Sequence, residues 1–140
     1  MLHQAAVDWA THVIVEAMAA NFLEQGNASM AEALYRRALT VREDWELVWE
    51  GHYREGRYWE GRKLINSALS ALADLLTAQA RYEEAEKLLR RLLGRAENKS
   101  IAAGNLGAVL RKMGRANEAD EIERDVDEEL TAFYKTWRGD

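Results

Sequence analysis

Few side chains in this sequence are suited to making or breaking bonds. There are three histidines, His3, His12 and His52, and no cysteine. The absence of cysteine excludes disulfides, thiolate nucleophiles and thiolate metal sites. His12 and Glu16 stand four apart, so a helix would place them on one face, where they could share a metal ion. No third ligand lies near them, and a histidine paired with a helix neighbour is the simpler reading. No phosphate-cradling glycine loop, nucleophile elbow or HExxH helix is present. The chain is expected not to be an enzyme, with no cofactor and no metal.

A second constellation suits recognition better than reaction. Trp45, Trp49 and Tyr53 recur at helical spacing, with His52, Arg54, Arg57, Tyr58 and Trp59 close by. Arginine stacks on tryptophan, and Trp, Tyr and Arg are the residues most enriched at interface hot spots. The plain alternative is that these rings fill a core. Arg57 and Trp59, near a turn, are the candidates for contact with a partner or, less directly, with a small ligand.

Charge narrows the partners. The 140 residues carry 19 basic and 24 acidic side chains, a formal charge of −5. A nucleic-acid binder needs a basic face, which this balance does not provide. Eight acids against one base, Arg124, stand between Asn117 and Glu129, as on a solvated helix face or a docking surface for a basic partner. No apolar run approaches the roughly 20 residues of a membrane-spanning helix. The apolar start carries Asp8 and Glu16 without a basic leader, unlike a signal peptide. A cytoplasmic protein with no membrane contact is expected.

The elements that must position these residues are helices. Alanine, leucine, glutamate and arginine dominate, and proline is absent, so no helix interior is forced to break. An internal repeat sets their order. Leu72-Ala73-Asp74-Leu75-Leu76 aligns with Leu106-Gly107-Ala108-Val109-Leu110 further along the chain. The same offset carries Ala80-Arg81-Tyr82 to Gly114-Arg115-Ala116 and Glu84-Ala85 to Glu118-Ala119. Two leucines four apart with a small neighbour make a buried stripe. A small residue or glycine ends that helix, and an alanine soon afterwards lets a second helix cross closely. One such pair cannot bury its apolar face alone, so neighbours must stack.

The pattern predicts helices near 4–25, 29–42, 45–54, 58–79, 82–93, 99–113 and 116–136, about seven in all. Ser29-Met30-Ala31-Glu32 fits a capping box. Gly26, Gly94 and Gly114 fit helix ends that need positive φ. Gly104 and Gly107, inside a helix, fit close packing between helices. Phe133 and Trp137 are expected to cover the apolar end of the stack.

These residues resemble the tetratricopeptide repeat (TPR) family. The family's spacing appears in Asn105-Leu106-Gly107, Leu110, Gly114 and Ala119. It appears again in Leu72-Ala73, Leu76, Tyr82 and Ala85, and earlier in Met18-Ala19, Phe22, Gly26, Ala28 and Ala31. Residues Ala33-Leu34-Tyr35-Arg36-Arg37-Ala38-Leu39 are similar to second helices of kinesin light chain-type repeats. The first-helix tryptophan and the terminal proline of the family are missing. Ala31 stands further before Ala85 than one repeat allows, so an irregular segment near 46–65, either a degenerate repeat or an insertion, breaks the regular order and leads into one long helix. The resemblance implies an all-α fold: a right-handed superhelical stack of antiparallel helix pairs, a TPR-like α-solenoid. It implies one domain over 1–140, with repeats near 12–45, 66–99 and 100–133 and a capping helix near 116–136.

The family usually binds partners in a groove lined by the first helix of each repeat. Placed in that frame, this chain puts Glu16, Ala20 and Leu23 on the groove face of the first copy. Ser67, Ser70, Ala71, Asp74 and Ala78 follow, then Gly104, Asn105, Ala108, Arg111 and Lys112. An asparagine at position 105 can both donate to and accept from a peptide backbone, and Arg111 and Lys112 suit acidic ligands. The lysine-rich carboxylate clamp of chaperone-binding members is matched only by Asn105. The leading expectation is a non-catalytic scaffold that binds a peptide or partner helix. The alternative is a self-assembling homo-oligomer formed through an apolar N-terminal face of Val7, Trp9, Val13, Ile14 and Val15.

Overall fold

The computed structural model describes residues 14–49, 57–95 and 99–139, and the side chains within these ranges except 41–49 and 57–65. The described residues are helical, with no strand among them. The first helix, α1, is described over 14–24. It is followed by α2 (Ala28–Trp49), α3 (Arg57–Ala78), α4 (Tyr82–Arg95), α5 (Lys99–Lys112) and α6 (Ala116–Arg138). The chain forms two compact units, Met1–Leu75 and Leu76–Asp140.

One turn is built three times. Arg81 N–H donates to the Leu76 carbonyl (2.9 Å) and Ala80 N–H to Thr77 (3.0 Å). Arg115 N–H donates to Leu110 (2.8 Å) and Gly114 N–H to Arg111 (3.1 Å). Asn27 N–H donates to Phe22 (2.8 Å) and Gly26 N–H to Leu23 (3.0 Å). These crossed bonds satisfy carbonyls that the helix end leaves open, and they require one residue with positive φ. Gly26 (80°) and Gly114 (77°) supply it, and Ala80 (59°) takes the same conformation. The alanines placed at the start of each second helix, Ala31, Ala85 and Ala119, are fully buried. The turns and the buried alanines thus recur in the fold where the spacing of the sequence placed them.

Within the second unit, α5 packs on both α4 and α6. Burial on two sides explains its composition. Ala102, Ala103, Leu106, Gly107, Val109 and Leu110 are all buried, which leaves one narrow exposed strip. In α4, Ala85, Leu89 and Leu92 face inward. The long helix expected after the irregular segment is α3, which buries Ala68, Leu69, Leu72, Ala73, Leu75 and Leu76.

Four expectations are corrected. The helices foreseen near 29–42 and 45–54 are joined, since α2 continues through Trp49. No glycine or proline stands in Arg42-Glu43-Asp44 to stop it, so the described residues hold six helices. The α2 cap is Asn27, whose Oδ1 accepts the Met30 N–H at 3.2 Å, and not Ser29, which lies inside the helix. Gly94 lies inside α4 without positive φ. Phe133 and Trp137 are 63% and 78% exposed and cover no apolar end among the described residues of their own unit. The last of these follows from helix length. α6 has 23 residues and α5 only 14, roughly 35 against 21 Å at 1.5 Å per residue. The two run antiparallel, because Lys99 at the start of α5 bonds Glu129 (2.7 Å) while Arg111 near its end bonds Asp120 (2.8 Å). Beyond Glu129, α6 has no α5 left to lie against.

Candidate functional site

Beyond Ser100 in its first turn, the residues that α5 leaves exposed are Ile101, Gly104, Ala108, Arg111 and Lys112, with Asn105 half-buried among them. Their spacing of three, four and seven makes a single strip along one helix face. This gathers every residue that the repeat register assigned to the third copy. It adds Ile101, 63% exposed, which the sequence reading passed over. The signal was present, because Ile101 is the counterpart of Ser67, one repeat earlier.

The two helical glycines have different explanations. A Cβ on Gly107 would meet the Glu123 carboxylate and the Arg111 guanidinium, the far ends of two side chains that would have to shift. A Cβ on Gly104 would meet nothing within 4 Å. The expectation of close helix packing fails at Gly104, because this position faces outward. A glycine in a helix interior costs about 0.5–1 kcal/mol relative to alanine, and no contact within the described residues offsets that cost.

The two cations of the strip also differ. Arg111 is held by α6: its guanidinium donates to Glu123 Oε1 (2.8 Å) and Oε2 (2.9 Å) and to Asp120 Oδ1 (2.8 Å). That contact keeps the Glu123 carboxyl below its ordinary range. An acidic ligand would have to compete with these carboxylates. Lys112 is exposed at the end of α5.

A second exposed face lies in the first unit, on α3. Ser67 and Asp74 are exposed there, with Ser70 and Ala71 less open. Burial raises the Asp74 carboxyl above its ordinary value. On α1, Ala20 and Leu23 are exposed and Glu16 lies beside them. Burial, and then the charge of Glu16, raise the Tyr35 phenol. Ile14, from the expected assembly face, is exposed and Val15 half-buried. Val7, Trp9, Val13, His3, His12 and the aromatic cluster's side chains, Arg57 and Trp59 included, lie outside the described residues.

Behind the strip, ion pairs tie α4 to α6. Arg115, just before α6, donates to Glu118 (2.5 and 3.0 Å) and to Glu86 of α4 (2.6 Å). Glu86 also accepts from Arg90 (2.9 Å). The bond from Arg115 is the main reason the Glu86 carboxyl titrates below its ordinary 4.5. Arg81 and Glu84 make the same fork before α4 (2.6 and 3.1 Å). The repeat spacing of the sequence thus recurs in the ion pairs, which composition alone did not reveal.

Among the described residues no three metal-ligating side chains converge, and no helix is long and apolar enough to cross a membrane. What this arrangement offers chemically is contact: a mild strip with one amide, one available ammonium and open access to backbone at Gly104. A family model for the tetratricopeptide repeat matches residues 68–101. No curated protein matches the chain.

Proposed function

We propose that this chain, whose residues 68–101 match a family model for the tetratricopeptide repeat, is a non-catalytic scaffold, since that repeat in general holds protein partners. It binds a peptide or a partner helix along the exposed face of α5. The observation that carries this reading is Gly104. It weakens its own helix, serves no packing contact, and lies in the middle of the strip between Ile101 and Ala108. Glycine is tolerated at such a position where another backbone must come close. Asn105 bonds the ligand's main chain, Ile101 covers an apolar side chain, and Lys112 draws in acidic groups. Arg111 contributes once a ligand carboxylate displaces Asp120. On α3, Ser70 and Asp74 form the first unit's own contact surface.

The test is a titration of a partner captured from the source cell against purified variants. Gly104→Leu should weaken binding tenfold or more while the folded state is kept or strengthened. Asn105→Ala should weaken it several-fold, as expected for one lost hydrogen bond of about 0.5–1.5 kcal/mol. Lys112→Glu should slow association, and the effect should fade in high salt. If all three variants bind like wild type while Trp59→Ala or Arg57→Ala abolishes binding, the aromatic segment is the functional surface and the α5 face is not.

A further inference from the structure

Arg111 is the cation of the α5 strip that α6 holds, and it is held unevenly. A guanidinium presents two edges that match a carboxylate, one between the terminal nitrogens and one between Nε and Nη2. Glu123 fills the first edge, accepting from Nη1 at 2.8 Å and from Nη2 at 2.9 Å. Asp120 accepts a single bond from Nη2 at 2.8 Å. The Nη2 hydrogen that Glu123 leaves over points to the Nε side, so Asp120 stands on the second edge and covers only half of it. The Nε–H of Arg111 has no hydrogen-bond partner among the described residues.

The two carboxylates are also seated differently. The Glu123 side chain is 34% exposed and lies where a Cβ on Gly107 would be, whereas the Asp120 side chain is 66% exposed. Asp120 is already largely hydrated, so its release to water costs little.

We propose that this second edge is the carboxylate site of the α5 surface: an acidic side chain of the partner binds side-on to Nε and Nη2 and displaces Asp120. The inference rests on the α5 face being the contact surface, and it names what the partner brings there. Two charge-assisted bonds replace one, so the exchange favours the partner. Glu123 keeps its fork and is a positioning residue that fixes the plane of the guanidinium. Asp120 is an internal competitor. A partner without an acid at this point leaves it in place and gains nothing from Arg111. Because Glu123 stays, the arriving group is a singly charged carboxylate; a phosphate beside Glu123 is repelled more strongly. Lys112, the next residue, is exposed and adds attraction at longer range.

Titration of the full chain with acetyl-tetraglutamate amide, and with the matching glutamine peptide, tests the site. The readouts are the dissociation constant and the Arg111 Nε–H signal in nitrogen-edited NMR. The glutamate peptide should shift that signal to saturation, more weakly in high salt, and the glutamine peptide should leave it unmoved. Asp120→Asn should tighten binding of the glutamate peptide about threefold or more, since the competitor loses its charge. Asp127→Asn removes the same charge about 10 Å further along α6 and should tighten it clearly less. Glu123→Gln should not tighten it, because the lost fork lets the guanidinium turn. An equal response to both peptides overturns the proposal. So does an Asp120→Asn variant that binds like wild type, or a Glu123→Gln or Asp127→Asn variant that tightens as much as Asp120→Asn. If Gly104→Leu weakens the captured partner while Asp120→Asn changes neither that titration nor the peptide's, the carboxylate site is wrong and the α5 surface stands.

Discussion

Helices α4 and α6 occupy the same place in successive repeats, yet they face different surroundings. In α4, Leu89 is buried and Leu93 half-buried; their counterparts one repeat later are Glu123 and Asp127. Ala85 and Ala119 are identical and equally buried. The alanine of the crossing is therefore kept from copy to copy, while the next turn of the helix changes from leucine to acid. Glu123 is accommodated because Gly107 leaves room for it and Arg111 neutralises it.

This contrast can be broken most strongly at its first pair. Leu89→Ala should cost about 2–5 kcal/mol by removing a fully packed side chain. Glu123→Ala should cost less than about 1 kcal/mol, since it loses a largely solvated ion pair. Urea denaturation of both variants measures the difference, and equal losses would contradict the division of roles. Next come the shared alanines. Ala85→Leu and Ala119→Leu should each overpack a helix crossing and cost roughly 1–3 kcal/mol. An unchanged melting temperature in either would show that the two crossings are not alike.

The turns before the two helices give a smaller effect of opposite sign. Ala80 holds a left-handed conformation that Gly114 adopts without a Cβ penalty. Ala80→Gly should stabilise by about 1 kcal/mol, and Gly114→Ala should destabilise by a similar amount. Thermal melts of the two single variants would expose any asymmetry. The smallest effect concerns the ion pairs joining α4 to α6. Glu86 is more acidic in the folded chain than in the unfolded one. Its contribution is therefore complete above pH 4.5 and is lost as the pH falls through the lower, folded value. Glu86→Gln should remove roughly 0.2–1 kcal/mol at neutral pH and flatten the dependence of stability on pH in the acid range. A variant with an unaltered acid profile would remove Glu86 from that role.

Most of the repeat architecture was legible because it rests on local signals. A leucine stripe, a small residue at each crossing and a glycine at positive φ all act within one turn of helix, so Leu72, Ala85 and Gly114 could be placed from spacing alone. The exposed strip from Gly104 to Lys112 was legible for the same reason. What the sequence hid depends on relations between helices. Trp137 resembled a cap until the shorter length of α5 left it beyond the reach of that helix. Arg111 resembled a free cation until Asp120 and Glu123 came into reach across the turn. Ser29 resembled a cap because the amide of Asn27, two positions earlier, competes for the same helix start. Gly104 and Gly107 are indistinguishable as letters, and only the neighbouring helix separates the glycine that side chains from α6 lie against from the one that faces open space.

The order of packing in the second unit also bears on how quickly it assembles. Among the described residues, α5 packs on the helix before it and on the helix after it in the chain, both neighbours in sequence. Little chain entropy is lost before contacts begin to compensate for it, and proteins built from such local contacts refold within microseconds to milliseconds. Any of these helix pairs can serve as the nucleus, with the remaining helix adding to a surface already formed. Newly synthesised copies of this unit would consequently spend little time with the leucines of α4 and α5 open to water.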